Sequence, residues 1–210
     1  MKKTFVLIVL FVLPIIAYLF FASGVNNFGR LPTLTEGVIE IDFPDNQVKF
    51  SNNITVLGFL GKEVERKKGN AFNLNQKIYK RFSEFRDFQF VMIMPKGTED
   101  KVEALKTELS ALADVSKWKF VFLGPGMIHE LFSSLETDLK LDDNLGTPYV
   151  FIIDKERNLR GRTEDEDEGT KFGFNTNSVA DLNNKMEDDV KIILAEYRLA
   201  LKKNNANRAK

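Results

Sequence analysis

Gly146-Thr147-Pro148-Tyr149-Val150-Phe151-Ile152-Ile153-Asp154-Lys155 is the stretch from which the fold of this chain is read. Residues 149–153 form an unbroken run of aromatic and β-branched side chains, the pattern of a strand buried on both faces. Gly-Thr-Pro leads into it. Asp154-Lys155-Glu156-Arg157-Asn158 then makes a turn into Leu159-Arg160-Gly161, a returning strand.

Three similar runs precede it. Lys119-Phe120-Val121-Phe122-Leu123 is closed by Gly124-Pro125-Gly126, Phe88-Gln89-Phe90-Val91-Met92-Ile93-Met94 is stopped by Pro95, and Ile54-Thr55-Val56-Leu57-Gly58-Phe59-Leu60 comes first. Between them the apolar spacing turns helical. Leu74, Ile78, Phe82 and Phe85 predict a helix over 70–85, and Val102, Leu105, Leu109 and Leu112 another, opened by Thr98-Glu99-Asp100. Ile128, Leu131, Phe132 and Leu135 mark a short helix. Val179, Leu182, Met186, Val190, Ile193, Tyr197 and Leu201 mark a long final one, and the basic, asparagine-rich tail 202–210 is expected to fray. Upstream, residues 38–43 and 48–50 read as a hairpin across Pro44-Asp45-Asn46, and 25–37 reads as a linker. Strands alternating with helices, then a terminal hairpin and helix, make an α/β sandwich with a mixed central sheet of about four or five strands. Residues 38–201 are enough to bury a core of their own.

The chain opens with Met-Lys-Lys and then runs from Thr4 to Ala22 without a charge, roughly 28 Å as a helix, close to the hydrocarbon thickness of a bilayer. Lys2 and Lys3 precede it and no basic residue follows before Arg30. The positive-inside bias therefore puts the domain on the exported, periplasmic side of a cell membrane. Two readings stand for residues 1–24. Length favours a single-pass signal anchor, while Ala22-Ser23-Gly24 offers small residues for a cleaved signal.

Composition removes much chemistry. Among 210 residues, thirty basic side chains balance thirty acidic ones, so there is no electrostatic footprint for nucleic acid. There is no cysteine, hence no disulfide, thiolate metal site or thiol redox chemistry, and His129 is the one histidine.

The segment 146–155 resembles the G-T-P-x-x-F-L-I-D-K segment of thioredoxin-like proteins, whose proline is cis and whose Asp-Lys opens the terminal hairpin. Leu159-Arg160-Gly161 and Trp118-Lys119-Phe120 resemble the Sco group of copper-delivery and assembly factors for cytochrome oxidase, as does an anchor followed by an exported domain. The resemblance implies a thioredoxin-like sandwich, a cis Pro148, and structural roles for Gly146, Thr147, Pro148 and Asp154. In thiol-active members a cysteine pair follows the first core strand. Here that window, 62–73, holds no sulfur, and Gly146 stands where Sco proteins place a copper-binding histidine. Copper delivery and thiol exchange are not carried over, and no cofactor is expected.

Other candidate ligands also have plainer roles. Met127 and His129 form a Met-x-His pair, and thioether with imidazole suits Cu(I). Met92 and Met94 share one face of a strand, where methionine is ordinary packing. Glu164-Asp165-Glu166-Asp167-Glu168 has the acid density of a Ca²⁺ site without EF-hand spacing; a solvated loop is the simpler reading, or a patch for a basic partner. Glu63, Glu65, Arg66, Lys67 and Lys68 are expected in a solvated loop, residues 63–69, that contacts a protein partner. The reading is a membrane-anchored, non-catalytic interaction or assembly module, for which the Sco resemblance implies a respiratory membrane complex. The alternative is a metal-binding chaperone using non-cysteine ligands.

Overall fold

The computed structural model describes residues 10–16, 29–40 and 48–208, with side chains through 200. The β-elements are β1 (Thr33–Thr35), β2 (Ile54–Leu60), β3 (Phe88–Pro95), β4 (Trp118–Leu123), β5 (Gly146–Ile153), β6 (Leu159–Arg160), β7 (Arg162–Asp165), β8 (Gly169–Lys171) and β9 (Phe174–Asn175). Helix α1 runs from Val64–Leu74 through a π turn, Asn75–Tyr79, to Lys80–Phe82. Helices α2 (Glu99–Ser110) and α3 (Pro125–Ser133) follow. Helix α4 starts at Val179–Asp181, passes a second π turn, Leu182–Met186, and continues as Glu187–Arg208.

The main sheet is ordered β1-β6-β5-β2-β3-β4, with β9 also paired to β5. Strands β2, β3 and β4 are parallel, β5 is antiparallel to β2, and β6 returns antiparallel to β5. Parallel strands joined through helices, then an antiparallel hairpin and a last helix, are the thioredoxin-like arrangement. Every residue of β2 and of β3 is buried, as their uninterrupted apolar runs require. Pleat alternation divides their side chains. Val56, Phe90, Met92 and Ile152 meet α1, α2 and α4 on one face, while Leu57, Val91, Ile93 and Phe151 meet α3 on the other.

Several expectations are corrected. Residues 63–69 are no loop: α1 starts at Val64, whose buried side chain opens the stripe continued by Ala71, Leu74 and Ile78. Glu65, Arg66, Lys67 and Lys68 are good helix formers, so nothing local delays the helix to residue 70. The Thr147–Pro148 bond is trans, not cis; no peptide bond among the described residues is cis. Strand β5 already begins at Gly146, and the Leu60↔Gly146 pairing resumes past an irregularity in which Thr147, Pro148 and Tyr149 of β5 stand opposite Phe59. In this bond the segment departs from the thioredoxin-like pattern it otherwise resembles.

Thr33–Thr35, within the stretch read as linker, is an edge strand beside β6. Of the proposed N-terminal hairpin, residues 41–47 lie outside the described residues, and the flanking residues 38–40 and 48–50 are not strands, although Val38, Val48 and Phe50 enter the core. Phe85, Leu112 and Val179, assigned to apolar stripes, are instead exposed. Helix α4 continues through Lys202 to Arg208. Of the proposed membrane segment 1–24, residues 1–9 and 17–24 lie outside the described residues, as do residues 25–28 of the proposed linker. Among those described, no helix is long and apolar enough to cross a membrane.

Candidate functional site

The C-terminal ends of the parallel strands form one pole of the domain, the place at which the thioredoxin-like resemblance would put a cysteine pair. β2 ends at Leu60, and Gly61 turns the chain with φ +72°, a conformation that disfavours any side chain. A Cβ there would lie 2.6 Å from the Asn144 carbonyl oxygen, and Lys62 N donates to that same oxygen at 2.8 Å. The start of α1 and the loop before β5 thus touch backbone to backbone.

That loop is organised by Asp142. Its Oδ1 accepts hydrogen bonds from Asn144 N (3.0 Å) and Gly146 N (2.9 Å), holding the turn through which Leu145 passes at φ +62°. A leucine adopts this region only under constraint, and here its side chain is buried in the α3-side core. From the second turn of α1, Lys67 Nζ reaches Asp142 Oδ2 at 2.7 Å. Burial raises the Asp142 pKa, but the Lys67 hydrogen bond and charge and the two loop N–H groups outweigh it, leaving the carboxyl below its ordinary value. A Cβ at Gly146 would collide with Lys67 Nζ and stand 2.9 Å from the Leu60 carbonyl oxygen, so glycine leaves room for the ammonium. The pole is closed by a lysine–carboxylate latch.

The expected contact residues are split by this geometry. Lys67 is 14% exposed and committed to the latch, and Lys68 pairs with Glu108 of α2. Glu63 and Arg66 pair with each other at 2.9 Å on the surface, and Glu65 is exposed beside them. Glu63, Glu65 and Arg66 are the part of the set available to a partner.

The structural residues have definite tasks. Gly146 and Thr147 are buried, and the Pro148 carbonyl accepts from Thr176 N (2.9 Å) and Thr176 Oγ1 (2.6 Å). Asp154 Oδ1 accepts from Glu156 N and Asn158 N at 3.0 and 2.8 Å, which shapes the β5–β6 turn. Its Oδ2 pairs with Arg160 at 3.1 Å. Arg160 also donates to the Leu31 carbonyl and pairs with Glu196 at 2.8 Å, tying the hairpin to the incoming chain and to α4.

The candidate metal ligands are not gathered. Met92 and Met94 are buried on the sheet face opposite α3, whereas Met127 and His129 are exposed on α3 itself. The acidic run is the end of β7 and the turn into β8: Glu164, Glu166, Asp167 and Glu168 are exposed, as the solvated-loop reading expects, and Asp165 is buried. Asp165 turns inward to Lys185 at 2.6 Å, Asp167 meets the same ammonium at 2.7 Å, and Glu168 pairs with the fully buried Lys171 at 2.6 Å. Burial raises the Asp165 pKa, yet its bond to Lys185 and the Asp167 and Glu168 N–H groups bring it below its ordinary value. Among the described residues, no three His, Asp or Glu side chains are placed to hold a metal ion.

No family model and no curated protein matches the chain. Solved structures do. A thiol:disulfide interchange protein from Bacteroides sp. is 17% identical over 77% of this chain and 91% of its own, with a TM-score of 0.48. The soluble domain of Sco1 from Bacillus subtilis is 11% identical over 79% and 98%, with a TM-score of 0.46. Copper-bound ScoI from Arabidopsis thaliana is 16% identical over 69% and 89%, with a TM-score of 0.42. The chain is therefore similar to Sco-family and thiol-disulfide oxidoreductase structures while containing no cysteine. Strand order and connectivity by themselves define the thioredoxin-like arrangement.

Proposed function

We propose that the protein is a membrane-tethered, non-catalytic interaction module whose former reaction pole has become a protein-contact surface. The observation that carries this reading is the latch. Where thiol chemistry needs an accessible thiolate, this chain places Lys67 on Asp142 over a glycine, and it has no cysteine to supply one. The loop before β5 is thereby tied to α1 beside an exposed charged edge, Glu63, Glu65 and Arg66. Preorganised surfaces of that kind lose little freedom on binding a partner. Tethering is supported by residues 10–16, which are helical and expose Leu10, Phe11, Leu13, Ile15 and Ile16, an arrangement suited to lipid rather than water. The orientation follows from Lys2 and Lys3. A partner in assembly of a respiratory membrane complex is what the Sco resemblance of residues 146–161 implies.

Reversing the edge tests the reading. Glu65→Lys with Arg66→Glu leaves α1 helical and the latch intact, so the full chain stays folded in the membrane. The partner that co-purifies with the unmodified chain is expected to be lost. Its retention at the original level would overturn this contact site.

A further inference from the structure

We propose that the pole opposite the latch docks on an anionic phospholipid surface, an inference that rests on the tethering proposed above. A cleft of about 290 Å³ opens there, where β2 and β3 begin and β5 ends. Ile54, Leu194 and the Tyr197 ring give it an apolar floor, and Phe85, 40% exposed, stands at its mouth. The rim is basic. Lys155 is held by Asp87 at 2.6 Å and lies 5.3 Å over the Tyr197 ring, whereas Arg86 and Arg198 are exposed and make no ion pair among the described residues. The nearby acids are Glu84, which is exposed, and Glu156, which accepts from the Tyr197 hydroxyl. An exposed aromatic beside uncommitted arginines suits the headgroup region of an anionic bilayer, where rings sit at the interface and basic groups meet phosphate.

The path of the chain points to the same pole. Leu31 N donates to Glu196 Oε1 at 2.7 Å, between Leu194 and Arg198 on α4, so the incoming chain joins the domain beside the cleft. The apolar segment ends at Ala22, and residues 23–30 span at most about 28 Å even when fully extended. The latch pole lies a strand length further away, about 25 Å for a strand of this size. A short tether thus keeps the cleft pole near the bilayer, and the latch pole would reach it only with that tether almost fully extended.

The absence of cysteine makes the test clean, since one introduced thiol takes one label. The full chain carries a fluorophore on Glu84→Cys beside the cleft or on Met127→Cys at the opposite pole. Each is reconstituted in phosphatidylcholine vesicles with or without phosphatidylglycerol, doped with headgroup spin-labelled lipid. Expected is several-fold stronger quenching at position 84 than at 127 when phosphatidylglycerol is present. That difference should collapse without phosphatidylglycerol or with Arg86→Glu and Arg198→Glu, both surface changes checked by thermal unfolding. Equal quenching at the two positions, or indifference to phosphatidylglycerol, overturns the docking. A label shielded from lipid and from aqueous quencher alike also overturns it, because another part of the chain would then cover the cleft. Loss of the chain from vesicles in alkaline carbonate overturns tethering and docking together; retention with an unquenched label overturns docking alone.

Discussion

Replacing Asp142 separates the two tasks that the latch assigns to it. Asp142→Asn keeps an oxygen for Asn144 N and Gly146 N and loses only the ion pair with Lys67. The Asp142 side chain is 46% exposed, so solvent screening limits that pair to about 0.5–1 kcal/mol. Asp142→Ala also strips the acceptor from the two loop N–H groups, of which Gly146 N belongs to a buried residue, adding about 1–2 kcal/mol. For a domain of this size each kcal/mol moves Tm by about 2–4 °C. The asparagine variant should therefore melt about 1–4 °C below the unmodified chain, and the alanine variant about 3–12 °C below. Lys67→Met keeps the packed stem of the lysine and should match the asparagine variant. The double variant should cost less than the sum of the two by the energy of the pair, and added salt should shrink that difference. Far-UV circular dichroism of the detergent-solubilised full chain gives the melting curves. Equal losses for asparagine and alanine would refute the turn-holding role, and strictly additive losses from Lys67→Met and Asp142→Asn would refute the ion pair.

Other predictions concern the core, the buried ion pairs and the acidic hairpin. Phe151 is fully buried, edge-on to Phe59 and Phe132 at 6.3 and 5.9 Å, so Phe151→Ala should cost about 3–5 kcal/mol in urea unfolding. Arg160→Met leaves Asp154 buried without its guanidinium and should cost about 3 kcal/mol or more, while adding Asp154→Asn should restore part of the loss. The folded pKa of Asp165 lies below its unfolded value. Its contribution is therefore present above about pH 4 and disappears as pH falls through the folded value, so Asp165→Asn should flatten the acid limb of a stability–pH profile. Since Asp165, Asp167 and Glu168 already face Lys185 and Lys171, millimolar calcium should leave Tm unchanged; a clear rise would reopen the acidic hairpin as a cation site.

What could be read from the sequence follows the range of the forces involved. Strands β2 to β5 are legible because each is a continuous apolar run, and the stripes of α2, α3 and α4 show through helical spacing. The start of α1 is hidden because Glu65, Arg66, Lys67 and Lys68 suggest solvent as readily as helix, and Val64 alone carries the apolar signal. The latch has no local signature: Lys67 and Asp142 are 75 residues apart and meet only when β5 pairs with β2. The acidic run hides its pairing for the same reason, since Lys185 lies 18 to 20 residues on. The π turns, too, leave the spacing of Leu74, Ile78 and Phe82 undisturbed. Fully buried Asn75, whose side-chain amide finds no partner among the described residues, gives no sequence cue to its place in one.

The central claim is that the latched pole holds a protein partner, and site-specific photo-cross-linking in native membranes tests it most directly. A photoreactive residue is placed singly at Glu65 and at Arg66, and for comparison at Glu103, which is exposed on the neighbouring helix α2. A discrete adduct of one size from positions 65 and 66, absent at 103, is the predicted result. Adducts that are absent at 65 and 66, or identical at all three positions, would contradict the account.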